Sequence, residues 1–238
     1  KPIVFNIENI YSSNKTYGHR FISPKEIIVK NKKEYLQKLL EANVMVDPII
    51  RKDTILSSGN KLANKHNLIF KPEEALLEEV SNIIEYPYVF IGEFDREYLS
   101  LPAQILELTM IKQQKYFPLY NPDKTLSKKF FGVSNIPIDN NSQIISGNER
   151  VLKARLSDAR FFFDNDIKNG LEKLSEKLQS IIFHRSLGDM EKKVQRISLI
   201  TEKYAHIFGA NRKLVVTAAK LCKADLCSEV VYEMPELQ

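Results

Sequence analysis

The chain has 238 residues, 43% hydrophobic and 27% charged, with ten prolines and eight glycines. That balance excludes a disordered or collagen-like chain, and no apolar run is long enough for a membrane span, which leaves a globular protein with one large or two modest cores. A net charge of +5 and a pI near 9.0 permit a polyanionic partner without demanding one, because the basic excess is divided along the chain and forms no tail.

In chain order, KPIVFNI and KEIIVKN are short β-rich runs around the polar NKTYGHRFISP, where Pro24 disfavours helix just before it. KEYLQKLLEANV sets Leu36, Leu39 and Leu40 at helical spacing. The polar VDPIIRKDTILSSGNKLANKHN reads as helical pieces parted by a turn at SSGN. PEEALLEEVSNIIEY has Pro72 ahead of an acidic first turn, then Leu76, Leu77, Val80, Ile83 and Ile84, which is an amphipathic helix. YPYVFIGEF is a strand. SLPAQILELTMIKQQKYFPLYN starts a helix near Pro102 and runs into an extended segment, and KKFFGVSNIPI is another strand.

From Gly147 onward only helical patterning is legible. In GNERVLKARLSDARFFFDND, Leu152, Leu156, Ala159 and Phe163 form a buried stripe, while Arg150, Lys153 and Arg160 share another face. Glu149 and Lys153 stand at i and i+4, the favourable order for a helical ion pair. GLEKLSEKLQSIIFHR, DMEKKVQRISLITEKYAHIF and NRKLVVTAAKLCKADLCSEVVYEM follow as helices, parted at SLGD and Gly209. The expected class is α+β: a mixed part over residues 1–145, then an all-helical part over 146–238. KPIVFNIENI has neither an initiator Met nor a secretory signature, and MPELQ follows directly on a helical run. Both ends read as cut, so the sequence is expected to be a piece of a longer polypeptide.

Local motifs name no catalytic residue. Cys222 and Cys227 form neither a disulfide framework nor a zinc pattern and fit a reducing compartment. The histidines His19, His66, His184 and His206 form no HExxH, and there is no GxSxG, P-loop or GxGxxG. Asp164 and Asp166 are two apart and point to different helix faces. His184 could work with a later His-Asp pair on a metal ion, but that pair's place holds Ala224-Asp225, and alanine coordinates nothing. TMIKQQKYFP sets Lys112 and Lys115 beside Tyr116 and Phe117. It fits either a phosphate-and-base contact or a helix-to-strand junction with buried rings and solvated lysines. His19 and Arg20 of GHRF either meet phosphate or idle in a loop.

TYGHRF, LLEEVSNIIEYPYVFIGEFD, LTMIKQQKYFPLY, FFGVSNI, IISGNERVLKARLSDARFFFDND, IFHRSLGDMEKKVQRI and KADLCSEVVYEMPELQ, in this order, resemble the β subunits of bacterial heterotetrameric glycyl-tRNA synthetases. The resemblance runs nearly end to end and is most specific at QKYFP and GNERVLKARLSDARFF. It implies a middle section of such a subunit, without its N-terminal and anticodon-recognising regions. It also implies a part in the ATP-dependent ligation of glycine to tRNA(Gly) in the cytoplasm, contributing tRNA binding and subunit organisation. The α subunit, the remainder of the β subunit and tRNA(Gly) are the implied partners. ATP and Mg act through the α subunit, so this chain is expected to bind no cofactor and to be non-catalytic alone.

By the same resemblance, residues 1–145 look like a portion of the phenylalanyl-tRNA synthetase large subunit, and 146–238 like the start of a degenerate HD-type domain, in keeping with Ala224. His184, where a Gln is also found, and Cys222 beside KADL are small departures. Arg150, Lys153 and Arg160 become the expected tRNA contacts, followed by Lys112 and Lys115, then His19 and Arg20, with Phe161–Phe163 as packing. A metal-dependent HD-type phosphohydrolase and a purely structural subunit-interaction module stay open as other readings.

Overall fold

The computed structural model describes residue 3 and residues 5–138 and 143–238, so the run expected as a strand at KPIVFNI lies partly outside the described residues. The chain divides into two compact units, Lys1–Ala154 and Arg155–Gln238. Helices alternate with small antiparallel sheets, giving an α+β protein.

The first unit opens with two short hairpins, β1 (Asn6–Ile7) with β2 (Ile10–Tyr11) and β3 (Lys15–Tyr17) with β4 (Glu26–Ile28). Helix α1 (Lys32–Glu41) starts at Asn31, whose side chain accepts from Glu34 N, and α2 (Pro48–Lys65) starts at Asp47, which accepts from Ile49 N. Next come β5 (Ile69–Phe70), α3 (Glu74–Ile83), β6 (Tyr88–Glu93) and a 3₁₀ turn at Arg96–Ser100. They are followed by α4 (Ala103–Leu108), a π-helical turn at Thr109–Gln113, β7 (Phe117–Tyr120) and β8 (Leu126–Ser134). Strands β5, β7, β8 and β6 lie in that order in one antiparallel sheet.

Period-two alternation gives this sheet two apolar faces. On one face Phe70, Phe117, Leu119 and Phe131 meet Ile55 and Ala63 of α2 and Leu76, Leu77 and Val80 of α3. On the other, Phe90 and Phe130 meet edge to face, and Tyr116 stacks on Phe130 with centroids 4.6 Å apart. The register pairs Phe90 with Gly132 and Gly92 with Phe130, so each ring lies over the glycine opposite. A Cβ on Gly132 would come 2.3 Å from Phe90 Cζ, and one on Gly92 2.5 Å from Phe130 Cζ.

The turn expected at SSGN does not form, and α2 runs through it unbroken. Gly59 serves close packing there: a Cβ would lie 2.4 Å from Phe70 Cε1. Phe70 is wedged between Phe117 and Phe131, with centroids at 5.6 and 4.6 Å, and has little room to yield. On an exposed helix Gly→Ala gains about 1 kcal/mol, whereas overpacking a core costs about 1–3 kcal/mol. Gly59→Ala is therefore expected to lose about 1 kcal/mol in urea unfolding.

Helix α5 (Gln143–Ser175) buries Leu152, Leu156 and Ala159 as the stripe predicts, but Phe163 is only half-buried and Phe161 is exposed. Its backbone leaves helical geometry at Gly170 (φ 72°, ψ 163°), where the sequence starts a new helix. The expectation of helix alone in the second part is overturned at two places. IFH is a strand, β9 (Ile182–His184), paired with β10 (Gly188–Asp189) after a 3₁₀ turn at Leu178–Ser180. Its β-branched and aromatic residues suit an extended backbone, and His184 Nδ1 accepts from Ser186 N at 3.1 Å in the turn. Helix α6 (Met190–Tyr204) then starts at Asp189, whose side chain accepts from Lys192 N.

The last expected helix is broken into α7 (Arg212–Leu221), a 3₁₀ turn at Ala224–Cys227 and α8 (Glu229–Glu233). Ser228 Oγ accepts from Val231 N, and the two oxygens of Asp166 accept from Glu229 N and Val230 N at 2.9 Å each. One carboxylate thus serves the amides that open α8. Removing it in Asp166→Ala is expected to cost about 1–2 kcal/mol in thermal unfolding, with a smaller loss for Asp166→Asn, which keeps one acceptor.

Candidate nucleic-acid interface

The expected contacts lie at separate places on the chain. In the GHRF loop His19 is fully buried. Its backbone N donates to Ala42 O at 2.9 Å, its carbonyl accepts from Ser23 N at 2.8 Å, and its Nδ1 accepts from Phe21 N and Ile22 N at 3.3 Å. Nδ1 is thus an acceptor, the ring proton sits on Nε2, and Nε2 faces Glu85 Oε2 at 3.5 Å. His19 folds the loop from inside. Arg20 is exposed, its guanidinium 5.2 Å from the centroid of the Phe21 ring, and Phe21 is itself exposed.

At TMIKQQKYFP the junction reading describes the rings, since Tyr116 and Phe117 are buried. The helix gains a residue in the π-helical turn at Thr109–Gln113, and Lys115 takes a positive φ of 59°. Tyr116 N then donates back to Met110 O at 2.9 Å, and the phenol hydrogen-bonds Asn148 Oδ1 of α5. Lys112 is exposed, whereas Lys115 pairs with Glu79 of α3 at 2.8 Å.

The helical ion pair expected between Glu149 and Lys153 does not form. Glu149 Oε1 accepts from Glu93 N at the end of β6, at 2.9 Å, and Lys153 Nζ pairs with Asp95 at 2.7 Å. A helical i,i+4 pair is worth a few tenths of a kcal/mol, about 0.5 at most, so an open sheet-end amide and a neighbouring aspartate compete easily. The hydrogen bond that Lys153 donates to Asp95 raises its amine above the ordinary value, which keeps it a cation. Arg150 and Lys153 line one cleft of about 350 Å³ together with Arg96 and Lys128, two cations that sequence reading passed over. The adjacent lysines of KKFF, opening the run that reads as a strand, were the readable signal for it. Glu93, Asp95 and Glu149 line the same cleft and offset much of its charge. Arg160 is half-buried in the second unit.

The HD-like positions are also placed. Ala224 is fully buried, while His184 is exposed in β9. Among the described residues no three His, Cys, Asp or Glu side chains gather as a metal site, and no helix is long and apolar enough to cross a membrane.

The sequence pattern of the family described as "Glycyl-tRNA synthetase beta subunit" matches residues 1–238. The chain belongs to that family. Curated members named "Glycine--tRNA ligase beta subunit" are similar along nearly all of it. The Syntrophomonas wolfei protein is 42% identical over 100% of this chain, the Rickettsia akari protein 40% over 100%, and a Neisseria meningitidis serogroup A protein 39% over 98%. The chain spans about a third of their length, 35%, 35% and 34% respectively.

Two tyrosines, one in QKYFP and one just after it, carry a pH signature. Burial pushes the Tyr116 phenol up to about 12, and burial together with the hydrogen bond to Glu107 does the same for Tyr120. Both phenols are neutral in the fold, and the unfolded phenol ionises near pH 10, about 2 units earlier. Their stabilising contribution is therefore complete below about pH 10 and is lost as pH rises from there toward 12. Phenolate absorbance is expected to show Tyr116 and Tyr120 ionising late, with stability falling over the same window.

Proposed function

We propose that this chain serves glycine–tRNA ligase as a tRNA-holding and subunit-organising part of its β subunit, in the cytoplasm. The ligation of glycine to tRNA(Gly) is done by a separate α subunit, with ATP and Mg acting there, and this chain alone performs no catalysis. Family membership supports the reading. The observation that carries the RNA contact is the exposed pair Arg150 and Lys153, one turn apart on α5 and lining one cleft. Arg offers a bidentate fork to phosphate and Lys a point charge. Arg20, on the loop that buried His19 folds, and Lys112, Lys115 and Arg160, at other places on the chain, supply further charge. His19 acts through the loop it folds.

The partners in this reading are tRNA(Gly), the α subunit and the remainder of the β subunit. Residues 1–145 correspond to a portion of the phenylalanyl-tRNA synthetase large subunit, and 146–238 to the start of an HD-type domain that has lost hydrolysis. The buried Ala224 supports the second correspondence, since an HD pair needs an imidazole there.

The test is binding of labelled tRNA(Gly) to the 238-residue chain across a salt series. Arg150→Ala with Lys153→Ala is expected to weaken binding about tenfold and to lower the log–log salt slope by about 2, one unit per lost phosphate contact. Asp95→Ala, which releases Lys153, is expected to tighten it. Unchanged affinity and slope in the double variant would remove this face, and glycine transfer by the chain alone would refute the division of labour.

A further inference from the structure

The cleft that holds Arg150 and Lys153 is charge-balanced, but an adjoining cleft of about 360 Å³ in the same unit is not. Its polar lining is His66, Arg96, Lys128, Lys129, Asn121 and Ser127, and among the described residues no carboxylate lines it. Leu68 and Leu99 complete it with an apolar patch. Arg96 and Lys128 belong to both clefts.

The acids on the adjoining segments are already paired, Glu93 alone with a residue that lines this cleft. Asp95 holds Lys153 at 2.7 Å, and Asp123 accepts from Thr125 N at 2.9 Å and Thr125 Oγ1 at 2.6 Å. Glu93 holds Lys128 at 3.1 Å, so that lysine's charge is partly offset. Lys129 Nζ lies 3.3 Å from His66 Nδ1, against a ring nitrogen and not against a carboxylate. Arg96 is exposed and has no carboxylate partner among the described residues. The C-terminus of α2, at His66, turns its partial negative charge this way, about half a unit. Arg96 and Lys129 alone outweigh it.

We propose that this acid-free cleft is the chain's principal seat for an RNA backbone phosphate. Arg96 and Lys129 grip the phosphate, Lys128 and His66 support them, and the Leu68–Leu99 patch lies under the adjoining ribose or base. The site rests on the tRNA-holding reading above and gives it a location that the sequence did not single out. The exposed face of α5 is then a flank of the contact, and the phosphate path enters through the shared Arg96 and Lys128.

The experiment measures binding of labelled tRNA(Gly) to the full 238-residue chain by anisotropy across a salt series, with adenosine monophosphate as a competitor. Arg96→Gln with Lys129→Gln is expected to weaken binding at least tenfold and lower the salt slope by about 2. A control, Lys32→Gln with Lys33→Gln, removes equal charge from exposed positions of the same unit and is expected to change binding less than twofold. Circular dichroism and thermal unfolding confirm that each variant is folded, and Arg96→Gln alone, at an exposed position, carries the test if the pair is not. Equal losses in test and control would show a diffuse field and overturn the site, as would an unchanged slope in a folded test variant. Tight competition by the mononucleotide, with RNA binding insensitive to Arg96, would also overturn it in favour of a free nucleotide. Absence of RNA binding by the wild-type chain would overturn the tRNA-holding reading and the site together, whereas wild-type binding with an indifferent test variant overturns the site alone.

Discussion

Two phenylalanines lying across two glycines set the geometry of the first unit. Phe90 covers Gly132 and Phe130 covers Gly92, each pair directly opposite in the β6–β8 register. The arrangement admits no Cβ at either glycine, and a slip of one residue would turn both rings to the wrong face. With the register fixed, Phe131 must point the other way, into Phe70 and Phe117 and the apolar stripes of α2 and α3. The lysines beside these rings depend on this register. Lys128 and Lys129 stand where they do because Phe130 and Phe131 beside them are locked.

That dependence explains why the clefts form at the strand ends. Glu93 closes β6, and its amide is taken by Glu149 of α5. The chain then turns through Asp95 and Arg96, which carry opposite charges to opposite uses. Asp95 holds Lys153, while Arg96 is left toward the acid-free side. The packed sheet supplies position, and the exposed or half-buried side chains on its rim supply charge, the common division between scaffold and binding surface.

Much of this was legible in the sequence, and the exceptions have a shared cause. The Leu76–Leu77–Val80 face of α3, the YVFIGE strand and the Leu152–Leu156–Ala159 stripe are local periodicities and appear as read, while Ile83 is exposed, Ile84 ends the helix and Phe163 is only half-buried. The SSGN stretch was misread because its glycine answers to Phe70, an aromatic ring eleven residues on, and not to any turn of its own. Glu149 and Lys153 were misread because a tertiary amide and Asp95 outcompete a weak helical pair. In the second unit, the IFH strand and the break before α8 depend on β10 and on Asp166, neither of which local spacing reveals. For the site, basic residues could be counted along the chain. The cleft that Arg96 and Lys129 share, with no carboxylate in its lining among the described residues, could not, because it emerges only when β8, the α2 end and the 3₁₀ turn are brought together.

Asp166 gives α8 its beginning from more than sixty residues upstream. A five-residue segment has no capacity to nucleate a helix unaided. The carboxylate acts as a template, so α8 keeps its first turn only while α5 presents Asp166 to it. Whatever unwinds α5 at that residue unwinds the start of α8 with it.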